Sequence, residues 1–192
     1  MNAKIKDQVE QAVAVLRKGG VILYPTDTVW GLGCDATNAG AVEQVYRIKR
    51  SENKKSMLVL VASVNDAARY TGRVPAVAWD LMEMADRPLT LILPGAVGVA
   101  ESLIPEGRTL GIRVPGDEFC QALLRRFGRP VVSTSANVTG EPSPLYYEDI
   151  ADEIRAAVDF AVDPSCESRS ATHKPSSLIA VGEGGEINII RE

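Results

Sequence analysis

The sequence has few of the residues that build metal centres and covalent catalytic sites. It contains one histidine, His173, and three widely spaced cysteines, Cys34, Cys120 and Cys166. An odd set of distant cysteines does not form a disulfide framework, and no Cys-x-x-Cys pair is present. We therefore predict no protein-bound metal and no Ser-His-Asp arrangement.

Long apolar runs are also missing. No window holds about 18 uninterrupted apolar residues, the length that a membrane-spanning helix needs. The first ten residues are charged and lack the apolar core of a signal peptide. Together with the unpaired cysteines, this predicts a cytoplasmic protein without a membrane partner.

What the sequence does contain is an ordinary globular composition. Its 192 residues are 45% hydrophobic and 24% charged, with a formal net charge of −4. This predicts one packed domain over residues 1–192. The negative charge argues against a surface built wholly for nucleic acid, although it does not exclude a basic pocket.

Short apolar runs alternate with helical patterns in the first two-thirds of the chain, and a hairpin closes it. This order predicts an α/β fold, a twisted mixed sheet with packed helices, and the polar strand ends predict a large concave face. Helices are predicted over 5–18, 38–49, 65–70, 75–85, 118–127 and 150–157, with Asn38 and Asn65 as N-caps. Strands are predicted over 21–24, 57–61, 89–93, 109–114, 131–134, 160–162, 177–181 and 187–190.

One segment, residues 131–143, organises the site prediction. Two β-branched valines end a buried strand, and Ser133, Ser135 and Asn137 follow directly. Small hydrogen-bonding side chains at the end of a strand are typical of ligand sites in open α/β sheets. The alternative is that they form Asx and Ser/Thr turns.

Other strand ends carry similar groups: Thr26, Asp27 and Thr28, then Thr90, then Arg113. Cations lie nearby in sequence at Lys49, Arg50, Lys54 and Lys55, and near the end of the chain at Arg191. This mixture suits an anionic ligand rich in oxygen acceptors, such as a nucleotide, with catalysis by positioning and charge stabilisation. Lys49 and Arg50 could instead complement a helix dipole. The phosphate-binding loop motif Gly-x-x-x-x-Gly-Lys-Ser/Thr is absent.

Four blocks of the chain resemble the TsaC/YrdC family of threonylcarbamoyl-AMP synthases, in the family's order. They are Tyr-Pro-Thr-Asp-Thr-Val-Trp-Gly-Leu-Gly-Cys-Asp-Ala over 24–36, Pro-Leu-Thr over 88–90, Gly-Ile-Arg-Val-Pro over 111–115 and Ser-Thr-Ser-Ala-Asn-Val-Thr-Gly over 133–140. Weaker matches are Pro-Ser-Ser over 175–177 and Ile-Ile-Arg over 189–191.

The resemblance implies a synthase that joins L-threonine, bicarbonate and ATP into threonylcarbamoyl-adenylate and releases pyrophosphate. Mg²⁺ would accompany the ATP. The resemblance also implies that the twisted α/β sheet forms a large concave, basic cavity. The product would serve tRNA modification, with tRNA and the tRNA threonylcarbamoyltransferase proteins as partners. The residues implied for threonine are Thr26, Arg113, Ser133 and Ser176. Those implied for ATP are Lys49, Arg50, Thr90, Ser135, Asn137, Ser143 and Arg191, with Lys49, Ser135 and Asn137 as the catalytic group.

The chain departs from the family pattern at three places. The family has Lys-x-Arg before its second buried strand, whereas here Arg50 directly follows Lys49. Either Arg50 adjusts, or Lys54 or Lys55 substitutes. Trp30 stands at the motif's usual tyrosine, and Leu60 stands where longer relatives carry a histidine.

Two other functions remain open at this point. One is a module that binds tRNA or double-stranded RNA without catalysis, because relatives have been described as RNA-binding. The other is a carbamoyl-transfer domain like that inside hydrogenase-maturation enzymes, although their cysteine pairs are missing.

Overall fold

The computed structural model describes residues 3–51 and 57–192, and in these ranges nine strands form one mixed sheet. The helices are α1 (Ala3–Arg17), α2 (Ala39–Ile48), α3 (Val64–Ala67), α4 (Ala76–Met84), α5 (Glu118–Phe127) and α6 (Asp152–Ala157). The strands are β1 (Ile22–Tyr24), β2 (Gly31–Gly33), β3 (Leu58–Leu60), β4 (Leu89–Pro94), β5 (Thr109–Arg113), β6 (Val131–Ser135), β7 (Phe160–Ala161), β8 (Ser177–Val181) and β9 (Ile187–Arg191). Their order across the sheet is β7-β1-β2-β6-β3-β5-β4-β8-β9.

This architecture confirms the predicted α/β class. The long periodic helices and the buried apolar strands lie where the pattern put them. The prediction for α3 was wrong, because Ser63 rather than Asn65 caps it. The Ser63 Oγ accepts the Asp66 N–H at 3.2 Å, so the helix begins two residues earlier than predicted.

The register of the sheet brings distant segments of the chain together. β6 lies between β2 and β3, with Gly31 opposite Ser135 and Leu58 opposite Ser133. Arg113 on β5 lies opposite both Leu60 and Thr90. Because paired residues share a face of the sheet, the hydroxyls of β6, the guanidinium of β5 and Thr90 converge on one side.

The strand β2, which was not among the predicted strands, begins at Gly31 and ends at Gly33. Their role is to make room for the ring of Tyr24, which is fully buried on the same face. A Cβ at Gly33 would lie 2.6 Å from Tyr24 Cε1 and 2.8 Å from the Val132 carbonyl oxygen. The pairing of β1, β2 and β6 therefore depends on a residue without a side chain at this position.

Two amphipathic helices, α1 and α5, pack against each other. Leu16 of α1 and Leu123 of α5 are among their buried apolar residues. Asp117 caps α5 by accepting the Cys120 N–H at 2.8 Å, and Gly128 ends the helix in the left-handed conformation. Within residues 3–51 and 57–192, no helix has the length and apolar character that crossing a bilayer requires.

We predict that Gly33→Ala lowers the free energy of unfolding by about 1–3 kcal/mol, because the new methyl group overlaps backbone as well as the Tyr24 ring. Gly107→Ala is the matched control, since a Cβ there meets nothing within 4 Å. Urea denaturation of both variants measures the difference. Equal stabilities would show that β2 tolerates a side chain at position 33.

Candidate active site

Two adjoining clefts lie at the end of β6. The first has a volume of about 220 Å³ and contains Arg113 in its wall. The second has a volume of about 230 Å³ and contains Lys49. Both are lined by Met57, Thr134 and Ser135, so they form neighbouring compartments of one site.

The first cleft is organised around the buried guanidinium of Arg113. Its Nη1 donates to Thr28 Oγ1 at 2.7 Å and lies 3.3 Å from Asp27 Oδ1. Only 3% of the Arg113 side chain is exposed, against 13% for Asp27. The Asp27 carboxylate is itself held by the Gly116 N–H, which donates to Oδ2 at 3.0 Å. Arg113 is thus fixed in place by the loop that follows β1.

Not all donors of this guanidinium are used. Among the residues that the structure describes, the buried Nε of Arg113 has no hydrogen-bond partner, and Asp27 Oδ1 likewise accepts no hydrogen bond. A buried donor without a partner is rare in folded proteins and needs an explanation. An arginine in the wall of a cleft with an unused donor is suited to a carboxylate ligand.

Hydroxyl groups connect the first cleft to β4, β8 and β9. The Thr90 and Ser176 hydroxyls lie 2.7 Å apart, and Arg191 donates to the Ser176 carbonyl oxygen from Nε at 3.0 Å and from Nη2 at 2.8 Å. On the other side, Thr26 Oγ1 lies 2.8 Å from Thr28 Oγ1. The cleft is therefore lined by cations and hydroxyls that are already ordered.

The second cleft is organised around a buried ammonium group. Lys49 Nζ donates to the carbonyl oxygens of Ser135 at 2.6 Å and of Asn137 at 2.7 Å. Burial lowers the pKa of Lys49 to about 8. Ser135 Oγ donates to Asn137 Oδ1 at 2.5 Å, and Asn137 Nδ2 donates to the Glu141 carbonyl oxygen at 2.7 Å. The ammonium and the Asn137 side chain together hold the turn that follows β6.

Most of the predicted site residues meet at these clefts. The residues in the walls are Arg113, Ser133, Ser143, Ser176 and Arg191 in the first cleft, Lys49 and Asn137 in the second, and Ser135 in both. Thr26 and Thr90 lie behind the walls, where they hydrogen-bond Thr28 and Ser176.

Arg50 is the exception, because it lines neither cleft. Its backbone has a positive φ of 49°, and its Nη2 pairs with Glu153 Oε2 of α6 at 2.6 Å. The place of the family's arginine, two residues after Lys49, is taken by Ser51, which lines the second cleft. Lys54 and Lys55, the other candidates for this role, lie outside the described residues. Residues 52–56, which connect Ser51 to Met57 of the second cleft, lie outside the described residues. The large basic cavity that was predicted therefore stays a prediction.

Several polar residues at the clefts were not assigned a role from the sequence. Thr28 accepts the hydrogen bond of Arg113, Asp27 lies beside that arginine, and Ser51 and Thr134 line the walls. The sequence did show Asp27 and Thr28 at the polar end of β1, yet only the tertiary structure shows that both contact Arg113. Trp30 closes the first cleft, and its indole N–H donates to Glu167 Oε1 at 3.0 Å.

Fold and clefts together define a mixed α/β protein with paired compartments, one with a buried arginine and one with a buried lysine. The family model Sua5/YciO/YrdC, described as "Telomere recombination", matches residues 14–192. The chain belongs to this family.

Individual relatives support the same assignment. A threonylcarbamoyl-AMP synthase of Bacillus subtilis is 35% identical over 158 residues, which is 81% of this chain but only 46% of that protein. The structure of P. abyssi Sua5 complexed with L-threonine has a TM-score of 0.81 at 26% identity, covering 90% of this chain and 50% of the other. The crystal structure of Escherichia coli YciO has a TM-score of 0.83 at 30% identity, covering 100% of this chain and 91% of the other. This chain thus spans about half of the first two relatives and nearly all of the third.

The buried ammonium predicts a pH-dependent stability. The pKa of Lys49 falls from 10.5 to about 8 on folding, so between these values the unfolded chain binds more protons. The contribution of Lys49 to the free energy of unfolding therefore increases with pH between about 8 and 10.5, by up to about 3 kcal/mol. The difference in free energy of unfolding between wild type and Lys49→Met, measured from pH 7 to 10.5, should grow in favour of the wild type.

Other titrating groups, including the tyrosines, are common to both proteins and cancel in this difference. A difference that stays constant with pH would show that the ammonium is not desolvated. NMR titration of the Lys49 side chain gives its midpoint directly and does not depend on the variant folding.

Proposed function

We propose that this chain is an L-threonylcarbamoyladenylate synthase, which forms threonylcarbamoyl-AMP and pyrophosphate from L-threonine, bicarbonate and ATP for the modification of tRNA. The observation that carries the proposal is the junction of the two clefts at Ser135. An amino acid on Arg113 and a nucleotide beside Lys49 would lie side by side there. The threonylcarbamoyl-AMP synthases among the relatives and the L-threonine held by P. abyssi Sua5 support the choice of substrates.

In this proposal Arg113 pairs with the carboxylate of threonine through the donors that the protein leaves free. Val29, Met57 and Leu58 supply apolar surface for the threonine methyl group. Thr26, Ser133 and Ser176 surround the same compartment, where Ser133 and Ser176 offer hydroxyl groups and Thr26 orients Thr28. Bicarbonate condenses with the free amine, which yields a carbamate and water.

The triphosphate then lies in the compartment of Lys49. A carbamate oxygen attacks the α-phosphorus of ATP, the bond to the bridging oxygen breaks, and pyrophosphate leaves. Lys49 and Arg191 offset the phosphate charge, while Ser135, Asn137, Ser143 and Thr90 hold the nucleotide directly or through neighbouring hydroxyls. Because the described lining contains no carboxylate, Mg²⁺ would arrive bound to the phosphates. No step needs a covalent enzyme intermediate.

A direct test is pyrophosphate release by the purified chain with ATP and Mg²⁺. We expect turnover only when L-threonine and bicarbonate are both present, and threonylcarbamoyl-AMP as the product by mass spectrometry. Omitting either substrate is the internal control. Release that is absent, or that ignores threonine, would contradict the proposal.

A second candidate, ligand binding without turnover, is favoured by one observation: Arg50 lies away from the clefts and pairs with Glu153. Thermal shifts with ATP, with threonine, and with threonine plus bicarbonate separate the two functions. A chain that is stabilised by the ligands but releases no pyrophosphate would be a binding module.

Arg113→Lys should raise the KM for threonine at least tenfold while the melting temperature changes little. Lysine keeps the charge, but its single nitrogen lacks the planar pair of donors that a guanidinium presents to a carboxylate. Arg87→Lys is the matched control, because Arg87 is exposed and lines a different cleft. Loss of kcat with an unchanged KM would place Arg113 outside the threonine compartment.

A further inference from the structure

A third cleft adjoins the ion pair of Asp27 and Arg113. Asp27 lines it, whereas Arg113 lines the first cleft, and the third cleft shares no lining residue with either compartment of the candidate active site. Its volume is about 440 Å³, about twice that of either compartment. This volume falls in the range of small-molecule sites, roughly 300–1,000 Å³.

Carboxylates and apolar side chains line the third cleft together. We call it the acidic cleft, after the carboxylates of Asp27, Asp86 and Asp117 in its walls. The described lining includes one cation, the exposed Arg87. The apolar surface comes from Met82, Pro88, Leu89, Val114 and Pro115. A cation that carries an apolar stem therefore finds a partner for each of its parts here.

The side chain of Asp117 is the observation that points to a ligand. Only 6% of Asp117 is exposed, and its Oδ2 accepts no hydrogen bond from any residue that the structure describes. The thiol of Cys120 donates to the Pro25 carbonyl oxygen, at 3.4 Å, and not to this oxygen. Burial raises the pKa of the Asp117 carboxyl, so the folded chain leaves the cost of its charge undercompensated. A buried carboxylate oxygen without a donor needs an explanation.

Helix capping explains only the other oxygen of Asp117. Oδ1 accepts the Cys120 N–H at 2.8 Å, and the N-terminal end of the α5 dipole offsets about half of a charge, which leaves Asp117 with a net negative charge. Asp86, at the exposed rim, forms no ion pair with a described residue. Asp27, in contrast, lies 3.3 Å from Arg113 Nη1. Two of the three carboxylates thus keep charge that the described chain does not balance.

We propose that the acidic cleft binds a linear aliphatic polyamine, with one ammonium group on Asp117 and a second toward Asp86. An ammonium group has three donors and supplies the hydrogen bond that Asp117 Oδ2 lacks. The methylene chain between the ammonium groups lies against Met82 and Leu89.

A metal ion suits the acidic cleft less well than an organic cation. Within residues 3–51 and 57–192, no group of three His, Cys, Asp or Glu side chains is placed to hold a metal ion. Divalent cations such as Ca²⁺ and Mg²⁺ take six or more oxygen ligands, and the apolar walls offer them none. The proposal does not depend on the synthase activity.

Isothermal titration calorimetry of the full chain with spermidine, at constant ionic strength, tests the acidic cleft. We expect saturable binding by the wild type and at least about tenfold weaker binding by Asp117→Asn, which removes the buried charge. Asparagine retains the cap of α5, because its side-chain oxygen can still accept the Cys120 N–H. Asp80→Asn is the matched control, because Asp80 is exposed and outside the lining of the cleft, and it should bind within about twofold of the wild type.

Four outcomes would overturn the proposal. They are no saturable binding by the wild type, equal weakening by the control variant, equal affinity for butylamine, which has a single ammonium group, and displacement of spermidine by an equimolar amount of Mg²⁺. The last would make the cleft a metal site. Should Asp117→Asn fail to fold, Asp86→Asn at the exposed rim carries the same expectation with a smaller loss.

Discussion

The site depends on the ammonium group of Lys49, which the fold buries without a carboxylate partner among the described residues. Removing an ammonium from water costs several kcal/mol, and within residues 3–51 and 57–192 the oxygens of Ser135 and Asn137 compensate it. Carbonyl dipoles stabilise the cation but leave its net charge in place. The turn after β6 is therefore held by a positive charge that still attracts an anion, so one contact serves both the fold and the second cleft.

Arg113 is held in a different way, and the contrast separates the two compartments. Its charge is balanced by the partly buried Asp27, so Arg113 itself adds little net charge to the first cleft. The first cleft is therefore distinguished by its geometry. Thr28 and the register of β5 fix the planar guanidinium of Arg113, and its Nε has no partner among the described residues. A fixed fork selects a small carboxylate by shape, whereas the unbalanced Lys49 favours a ligand of high negative charge.

Much of this arrangement follows from local pattern in the sequence. Buried strands, amphipathic helices and polar strand ends are short-range features, and they predicted the sheet and most of the cleft residues. The misses arise from long-range contacts. Arg50 turns away because a positive φ aims it at Glu153 on α6, a hundred residues later in the chain, and no local rule contains that partner. Similarly, β2 was not among the predicted strands, and Gly33 packs against the Val132 carbonyl oxygen of β6, which reaches it only through the pairing of these two distant segments.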